Sequence, residues 1–284
     1  MISNKFYTLI KYISNRKYVK DFMTGKLFMN YLGYFWNRRG NSEGQTDMYE
    51  GTILTSNSKQ FCINDDEFNA HRVRDHIFKA EGYKYCNIMC FYRVDFMFSP
   101  WKDHDIEWDS SKGMDKFGKF IVIIKDANEF VRRVDNAVRR EKFKFVAGSV
   151  DYHEIVKDGV PTPEGPQLHL QSEPPFEFKT LPQGEKFDSF DKTRIYEYQK
   201  EWRISLYRGV REEKPYTLDV GNLCDIATWK HTYELEEQIN YLLKSGKIKP
   251  LNDYGYKGNS DRASLRELFY ELGEYKATLC TVLG

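Results

Sequence analysis

Apolar residues recur at every second position in several short stretches of the chain, which is typical of strands with one buried face. Phe120–Ile124 is instead an uninterrupted apolar run, and it predicts a strand buried on both faces at the centre of a sheet. The other predicted strands are 6–13, 26–30, 52–63, 86–98, 144–152, 194–208 and 216–220.

Apolar residues at helical spacing predict helices between and after these strands. In 127–142, Phe130, Val131, Val134 and Val138 form one apolar face. The other helical predictions are 15–23 with a stop at Gly25, a single turn at 223–228, 233–243 with a stop at Gly246, and 261–272. Segments with no regular strand or helix pattern are 37–51 and 157–185, while 65–80 is predicted to be helical or irregular.

This order of elements predicts an α+β fold, with a mixed or antiparallel sheet and flanking helices. We expect residues 1–228 to form an α+β domain of catalytic type, and residues 229–284 to form a C-terminal helical segment packed on it. A chain of 284 residues can bury a core of this size.

Composition narrows the possible partners and the compartment. With 43 basic and 42 acidic residues, the chain has no overall field that would attract nucleic acid or a membrane surface. No apolar run reaches the length of a membrane span, and five scattered cysteines fit a reducing compartment. We therefore expect a cytoplasmic protein that does not contact a membrane.

The segment 196–204 carries the strongest chemical signal. It reads Tyr-Glu-Tyr-Gln-Lys-Glu-Trp-Arg-Ile, and on a strand it would place Gln199, Glu201 and Arg203 on one face. A carboxylate on a strand that is otherwise buried needs either a cationic partner or a ligand. The alternative interpretation is an ordinary amphipathic strand, in which Glu201 pairs with Arg203 or Lys192 at the surface.

The chain resembles two groups of proteins in the order of its motifs. Gly-Lys-Leu-Phe-Met-Asn from Gly25, the Asp-x-x-Glu-Gly motif from Asp47, and Tyr-x-Tyr-Gln-x-Glu-Trp-Arg-Ile from Tyr196 are similar to an uncharacterised bacterial family often encoded near phage-defence genes. That similarity covers roughly residues 6–225. The same order also resembles the ADP-ribosyltransferase layout, although Lys11 stands where that superfamily usually has Arg or His.

The second resemblance implies a site that transfers ADP-ribose from NAD, used as a substrate, to RNA or protein, with no metal required. Glu201 would stabilise the oxocarbenium-like cation formed when the nicotinamide–ribose bond breaks, and Gln199 would position the acceptor. The residues implied to line the NAD cleft are Lys11, Tyr12, Tyr92, Asp47, Glu50 and Arg203.

The two resemblances together suggest a toxin or phage-defence effector, with a macromolecular acceptor and a neutralising antitoxin or chaperone as partners. Basic residues on the predicted helix 127–142 are a candidate nucleic-acid patch, consisting of Arg132, Arg133, Arg139 and Arg140. Two other functions stay open. One is a non-catalytic ligand-binding, sensor or interaction module of a defence system, and the other is a metal-dependent nuclease that uses Asp47, Glu50 and Glu201.

Overall fold

The computed structural model describes residues 6–37, 52–56, 76–96, 114–153, 156–157, 160–161, 176–177, 189–252 and 276–281. Its strands are β1 (Phe6–Ile13), β2 (Lys26–Tyr31), β3 (Thr52–Ser56), β4 (His76–Ala80), β5 (Asn87–Phe96), β6 (Phe120–Ile124), β7 (Lys144–Ser149), β8 (Asp151–His153), β9 (Val156–Lys157), β10 (Val160–Pro161), β11 (Phe176–Glu177), β12 (Asp191–Thr193), β13 (Glu201–Tyr207), β14 (Tyr216–Asp219), β15 (Ala227–His231), β16 (Leu251–Asn252) and β17 (Lys276–Thr281). Its α-helices are α1 (Arg16–Met23), α2 (Leu32–Asn37), α3 (Glu81–Lys84), α4 (Ala127–Arg140) and α5 (Leu235–Lys244), with 3-10 turns at Asp115–Phe117, Arg194–Gln199 and Thr232–Glu234.

A nine-stranded antiparallel sheet forms the centre of the fold and confirms the predicted α+β class. On one side of β5 lie β13 and then β7. On its other side the sheet divides, because both β1 and β2 pair with that edge of β5. One branch continues through β1 to β6 and β15, and the other continues through β2 to β14.

Helices cover both faces of this sheet. Asn15 caps α1 and Asp126 caps α4, each accepting a hydrogen bond from a backbone N–H of the first turn. The apolar faces of these two helices join β-strand side chains such as Trp202 and Ile204 in one core cluster. On the opposite face, apolar residues of α5 pack with Ile10, Tyr12 and Tyr92 in a second cluster.

Three sequence predictions about local structure are corrected. Residues 76–80, expected to be helical or irregular, form β4, which pairs with β3 and β17. The predicted helical turn at 223–228 is present but shorter: the Leu223 carbonyl oxygen accepts from the N–H groups of Ile226 and Ala227, and strand β15 begins at Ala227. The segment from residue 229 onward is not purely helical, because β16 and β17 lie in it and residue 228 itself falls inside β15. Pairing with β6, β1 and β4 is what makes β15, β16 and β17 strands. These partners are distant in sequence, so the local sequence pattern does not reveal the pairing.

Some predictions fall on residues outside the described ranges, namely most of the loop 37–51, most of 157–185 and the helix 261–272. Within the described ranges, no helix is long and apolar enough to cross a membrane.

The turn after α1 depends on a glycine that has no room for a side chain. Gly25 has a φ of +93°, and a Cβ there would lie 1.9 Å from the carbonyl oxygen of Gly221. Gly209 has a similar φ of +76°, but a Cβ there would meet no atom within 4 Å.

We expect Gly209→Ala to destabilise the protein by about 1–2 kcal/mol through backbone strain alone. Gly25→Ala adds a steric clash, which raises the expected loss by roughly 1–3 kcal/mol.

Urea denaturation of the two variants measures this difference. Equal losses in the free energy of unfolding would contradict the close approach of Gly25 to Gly221.

Candidate functional site

The candidate site lies where the central sheet divides. β1 pairs with β5 as far as Ile10 opposite Tyr92, and β2 pairs with β5 from Asn30 opposite Ile88. Neither β1 nor β2 pairs with residues 89–91 of β5, which lie between these two pairings. Because β1 and β2 both run antiparallel to β5, they are parallel to each other, and α1 makes the crossover that such a pair requires. We call this gap between β1 and β2 the fork.

A cavity of about 280 Å³ opens at the fork. Its wall is formed by both branches of the sheet, by β5 and by the segment that leads into β13. The lining residues that the sequence had singled out are Lys11, Tyr12, Tyr92, Gln199 and Glu201. Aromatic rings of Phe28, Phe35 and Phe117 also line the cavity, so the site combines flat apolar surfaces with a few charged groups. That combination is usual for small-molecule sites.

Glu201 is the first residue of β13, and its side chain is only 5% exposed. Arg203, fully buried on the same strand face, donates from Nε at 2.7 Å and from its NH2 group at 2.6 Å to Glu201 Oε1. Lys192 donates from Nζ at 3.0 Å to Oε2 of the same carboxylate. The opposite face of β13 carries Trp202 and Ile204 into the core, as the strand alternation predicted.

The alternative interpretation of this strand is therefore half correct. Glu201 does pair with Arg203 and Lys192, but the three groups are buried and are not on the surface. We call Glu201, Arg203 and Lys192 the charge cluster. Arg203 also donates to the carbonyl oxygen of Ser189, which fixes the guanidinium from behind.

Gln199 reaches the cluster by a route that the sequence did not indicate. The prediction of a strand from residue 194 is wrong, because Arg194–Gln199 is a 3-10 helix and Lys200 has a φ of 38°. Gln199 and Glu201 are thus not alternate residues of one strand. They meet through Lys192, whose Nζ also donates to Gln199 Oε1 at 2.7 Å.

The charges around Glu201 keep it ionised. Burial alone would raise the pKa of its carboxyl, but the positive charges of Arg203 and Lys192 outweigh burial and lower that pKa to about 2. The Cys90 thiol adds a further hydrogen bond to the carboxylate. Tyr152 accepts a hydrogen bond from the Glu201 backbone N–H at 2.8 Å, and burial raises the pKa of its phenol, which stays protonated.

Lys11 occupies the fork itself. Its Nζ donates at 2.8 Å to the carbonyl oxygen of Cys90, which lies in the part of β5 between its pairings with β1 and β2. Burial lowers the pKa of this ammonium, while Cys90 and the negative charge of Glu201 oppose that effect. Lys11 thus satisfies a backbone acceptor that the fork would otherwise leave unpaired, and its ammonium lines the cavity.

Three further residues were predicted to line the NAD cleft, namely Arg203, Asp47 and Glu50. Arg203 binds Glu201 but is not among the residues that line the cavity. Asp47 and Glu50 lie outside the described ranges, so their predicted role stays a prediction. Across the described part of the chain, no group of three or more His, Cys, Asp and Glu side chains is arranged to hold a metal ion.

The predicted nucleic-acid patch on α4 consists of arginines that are already paired. Arg132 and Arg133 both bind Glu129, and Arg133 also binds Asp225. The pairing of Arg139 is with Asp135. Arg140 donates to the backbone oxygen of Asp219 at 2.8 Å. Nucleic-acid contact through these residues stays a prediction.

Two residues of the cavity wall were missed by sequence reasoning as site residues. The sequence analysis named Lys192 only as a possible surface partner of Glu201. Its place in the cavity wall depends on the fold, which brings β12 next to Gln199. Asn30 ends both the Gly-Lys-Leu-Phe-Met-Asn motif and the predicted strand 26–30, and neither gave it a role at the site. Its alternation with Phe28 on β2, which places both side chains on one face, was a signal for such a role.

Comparisons of the chain with protein-family models, with curated proteins and with solved structures found no match. The geometry of the cavity and of the charge cluster is therefore the basis for assigning a function.

The charge cluster should behave as one energetic unit. Arg203→Met leaves Glu201 buried without its strongest partner, and we expect a loss of about 3–5 kcal/mol in the free energy of unfolding. In the double variant Glu201→Gln, Arg203→Met the two buried charges disappear together, so the loss should be smaller than the sum of the single losses. Urea denaturation of all four proteins gives the coupling energy. Additive losses would contradict the buried pairing.

The same carboxylate should make stability depend on acid pH. The folded-state pKa of Glu201 is about 2, below its usual value of 4.5, so its contribution is complete above pH 4.5 and is lost as the pH falls towards 2. Between these limits the parent should lose on the order of 3 kcal/mol more than Glu201→Gln does. Denaturation curves at several pH values test this, and parallel curves for the two proteins would oppose it.

Proposed function

We propose that the protein transfers ADP-ribose from NAD to a macromolecule, and that the cavity at the fork holds the nicotinamide riboside half of NAD. The main support is that five predicted site residues lie together. Lys11, Tyr12, Tyr92, Gln199 and Glu201 come from three separate parts of the chain, and all line one cavity. These are residues that the motif order associates with NAD cleavage.

The reaction needs a fixed negative charge beside the reacting carbon. The bond between ribose C1′ and the nicotinamide nitrogen breaks, and its electron pair leaves with neutral nicotinamide. The ribose then resembles an oxocarbenium cation until a lone pair of the acceptor binds C1′ and the acceptor's proton passes to solvent. Glu201 is suited to stabilise that cation, because it is ionised at neutral pH, buried and held by two cations. Gln199 positions the acceptor.

The size of the cavity sets which part of NAD it holds. Its volume of about 280 Å³ is at the lower end of the range for small-molecule sites. One ring and its sugar fit this space, and the ADP half would extend outside it. Phe28 lines the cavity and is 59% exposed, so its ring offers an apolar surface at the mouth for that half.

In this proposal the protein is a toxin or a phage-defence effector. RNA and protein are both open as acceptors, and a neutralising antitoxin or chaperone is expected as a partner. The paired arginines of α4 give no preference for RNA, since each one binds an acidic side chain or a backbone oxygen.

One observation favours a second candidate, a non-catalytic ligand-binding or sensor module. A carboxylate has about four acceptor positions. Two donors of Arg203, the ammonium of Lys192 and the thiol of Cys90 all bind Glu201. In this second candidate, Glu201 has no catalytic role and only holds the cavity wall together. For transfer, a ribose hydroxyl must replace one of these donors when NAD binds.

Glu201→Gln separates the two candidates. Incubating the protein with labelled NAD and cell extract should label an acceptor, and Glu201→Gln should reduce the labelling rate by about a hundredfold or more. Glu197→Gln is the matched control, because Glu197 is an exposed carboxylate in the adjoining 3-10 helix and does not line the cavity. Circular dichroism verifies the fold of each variant, and Glu201→Asp, which keeps the charge, should retain part of the activity.

Labelling that is unchanged in Glu201→Gln would refute the catalytic role of this residue. An absence of labelling by the parent, together with a rise in melting temperature on adding NAD or ADP-ribose, would favour the binding module.

A further inference from the structure

We propose that Asn30 binds an N–H group of the ligand, and that the cavity at the fork therefore selects a flat heteroaromatic ring that bears a carboxamide. This inference rests on the proposed function for the identity of that ring as the nicotinamide of NAD. The binding role of Asn30 can be tested apart from any transfer of ADP-ribose.

Asn30 has a buried acceptor that no described residue uses. Its Oδ1 is buried and has no hydrogen-bond partner among the described residues. Buried carbonyl oxygens are nearly always paired, so an exception calls for an explanation such as a ligand that binds there. Asn30 is also one of the residues that line the cavity.

The position of Asn30 on β2 is fixed from two sides. Its backbone pairs with Ile88 of β5 at the point where β2 joins that strand. Leu27 and Met29 of β2 are buried in the core, while Phe28 and Asn30 alternate with them and both line the cavity. Asn30 thus stands on the β2 side of the fork with an aromatic ring two residues away.

A donor stands on the other side of the fork. The Lys11 ammonium has three N–H groups, of which one bonds the Cys90 carbonyl oxygen at 2.8 Å. Lys11 lines the same cavity from β1, so the fork offers an acceptor from one branch and a donor from the other.

A carboxamide matches this pair of groups. Its N–H can donate to Asn30 Oδ1, and its carbonyl oxygen can accept from Lys11. Both groups lie in the plane of an attached ring, and the aromatic side chains Tyr12 and Tyr92 line the space for such a ring. A ligand with an acceptor alone would leave Oδ1 of Asn30 buried and unpaired.

Two probes that differ in one group test the inference. Nicotinamide and 3-acetylpyridine have the same ring and the same carbonyl group, but a methyl group replaces the amide nitrogen in the second. Titration calorimetry with the full chain should show nicotinamide binding about tenfold more tightly than 3-acetylpyridine, since only nicotinamide donates to Asn30.

Asn30→Leu should remove this preference, so that the two probes bind equally. It should still fold, because the substitution replaces an unpaired buried acceptor by an apolar group of similar size. Circular dichroism and the melting temperature verify this. Asn128→Leu is the control, since Asn128 is exposed on α4 and is not part of the cavity wall, and it should keep the tenfold preference.

The outcomes separate this inference from the proposed function. A preference for nicotinamide that Asn30→Leu abolishes supports the inference even if the parent labels no acceptor. The inference is overturned if the two probes bind the parent equally, or if Asn30→Leu keeps the preference for nicotinamide. If the parent labels an acceptor in that case, the transferase proposal still stands. The absence of nicotinamide binding at millimolar concentration overturns the inference as well.

Discussion

The buried pairing of Glu201 with Arg203 and Lys192 is the constraint on which the site depends. A carboxylate that is 5% exposed would take up a proton unless cations stood beside it, and here two cations lower its pKa to about 2. The same contacts tie β13 to β12 and, through Lys192, to the 3-10 helix that carries Gln199. The charge cluster therefore does two things at once: it keeps the Glu201 carboxylate ionised at the cavity wall, and it fixes the segments that form that wall.

The fork gives this charge a place to act. A continuous sheet would cover the edge of β5 with one long neighbour, whereas here β1 and β2 each cover one end of it. Lys11 donates to the carbonyl oxygen of Cys90, so this acceptor is paired within the gap. The space between the branches then becomes a cavity whose wall contains donors, an acceptor and aromatic rings.

In the proposed transfer, stability and function would compete for the same carboxylate. The donors that keep Glu201 ionised also occupy its oxygens, so a substrate hydroxyl can reach the carboxylate only by replacing one of them. Lys192 is the donor best suited to move, because Gln199 already accepts from the same ammonium. Asn30 shows the opposite situation, an acceptor left unpaired at the same cavity, which is where a ligand can gain a hydrogen bond without displacing a protein group.

The sequence by itself determined the elements whose apolar pattern is strong: β1, α1 and α4 follow strand or helical patterns, and β6 follows an unbroken apolar run. It also placed Trp202 and Glu201 on opposite faces of one strand. It also singled out five of the residues that line the cavity. Only the tertiary structure decided that residues 194–199 form a 3-10 helix, that β15 pairs with β6, that Lys192 enters the charge cluster and that the arginines of α4 are paired. The reason is physical: periodicity records which face of a segment is buried, but burial of a charge depends on partners that are distant in sequence, and only the packed fold brings them within hydrogen-bond distance.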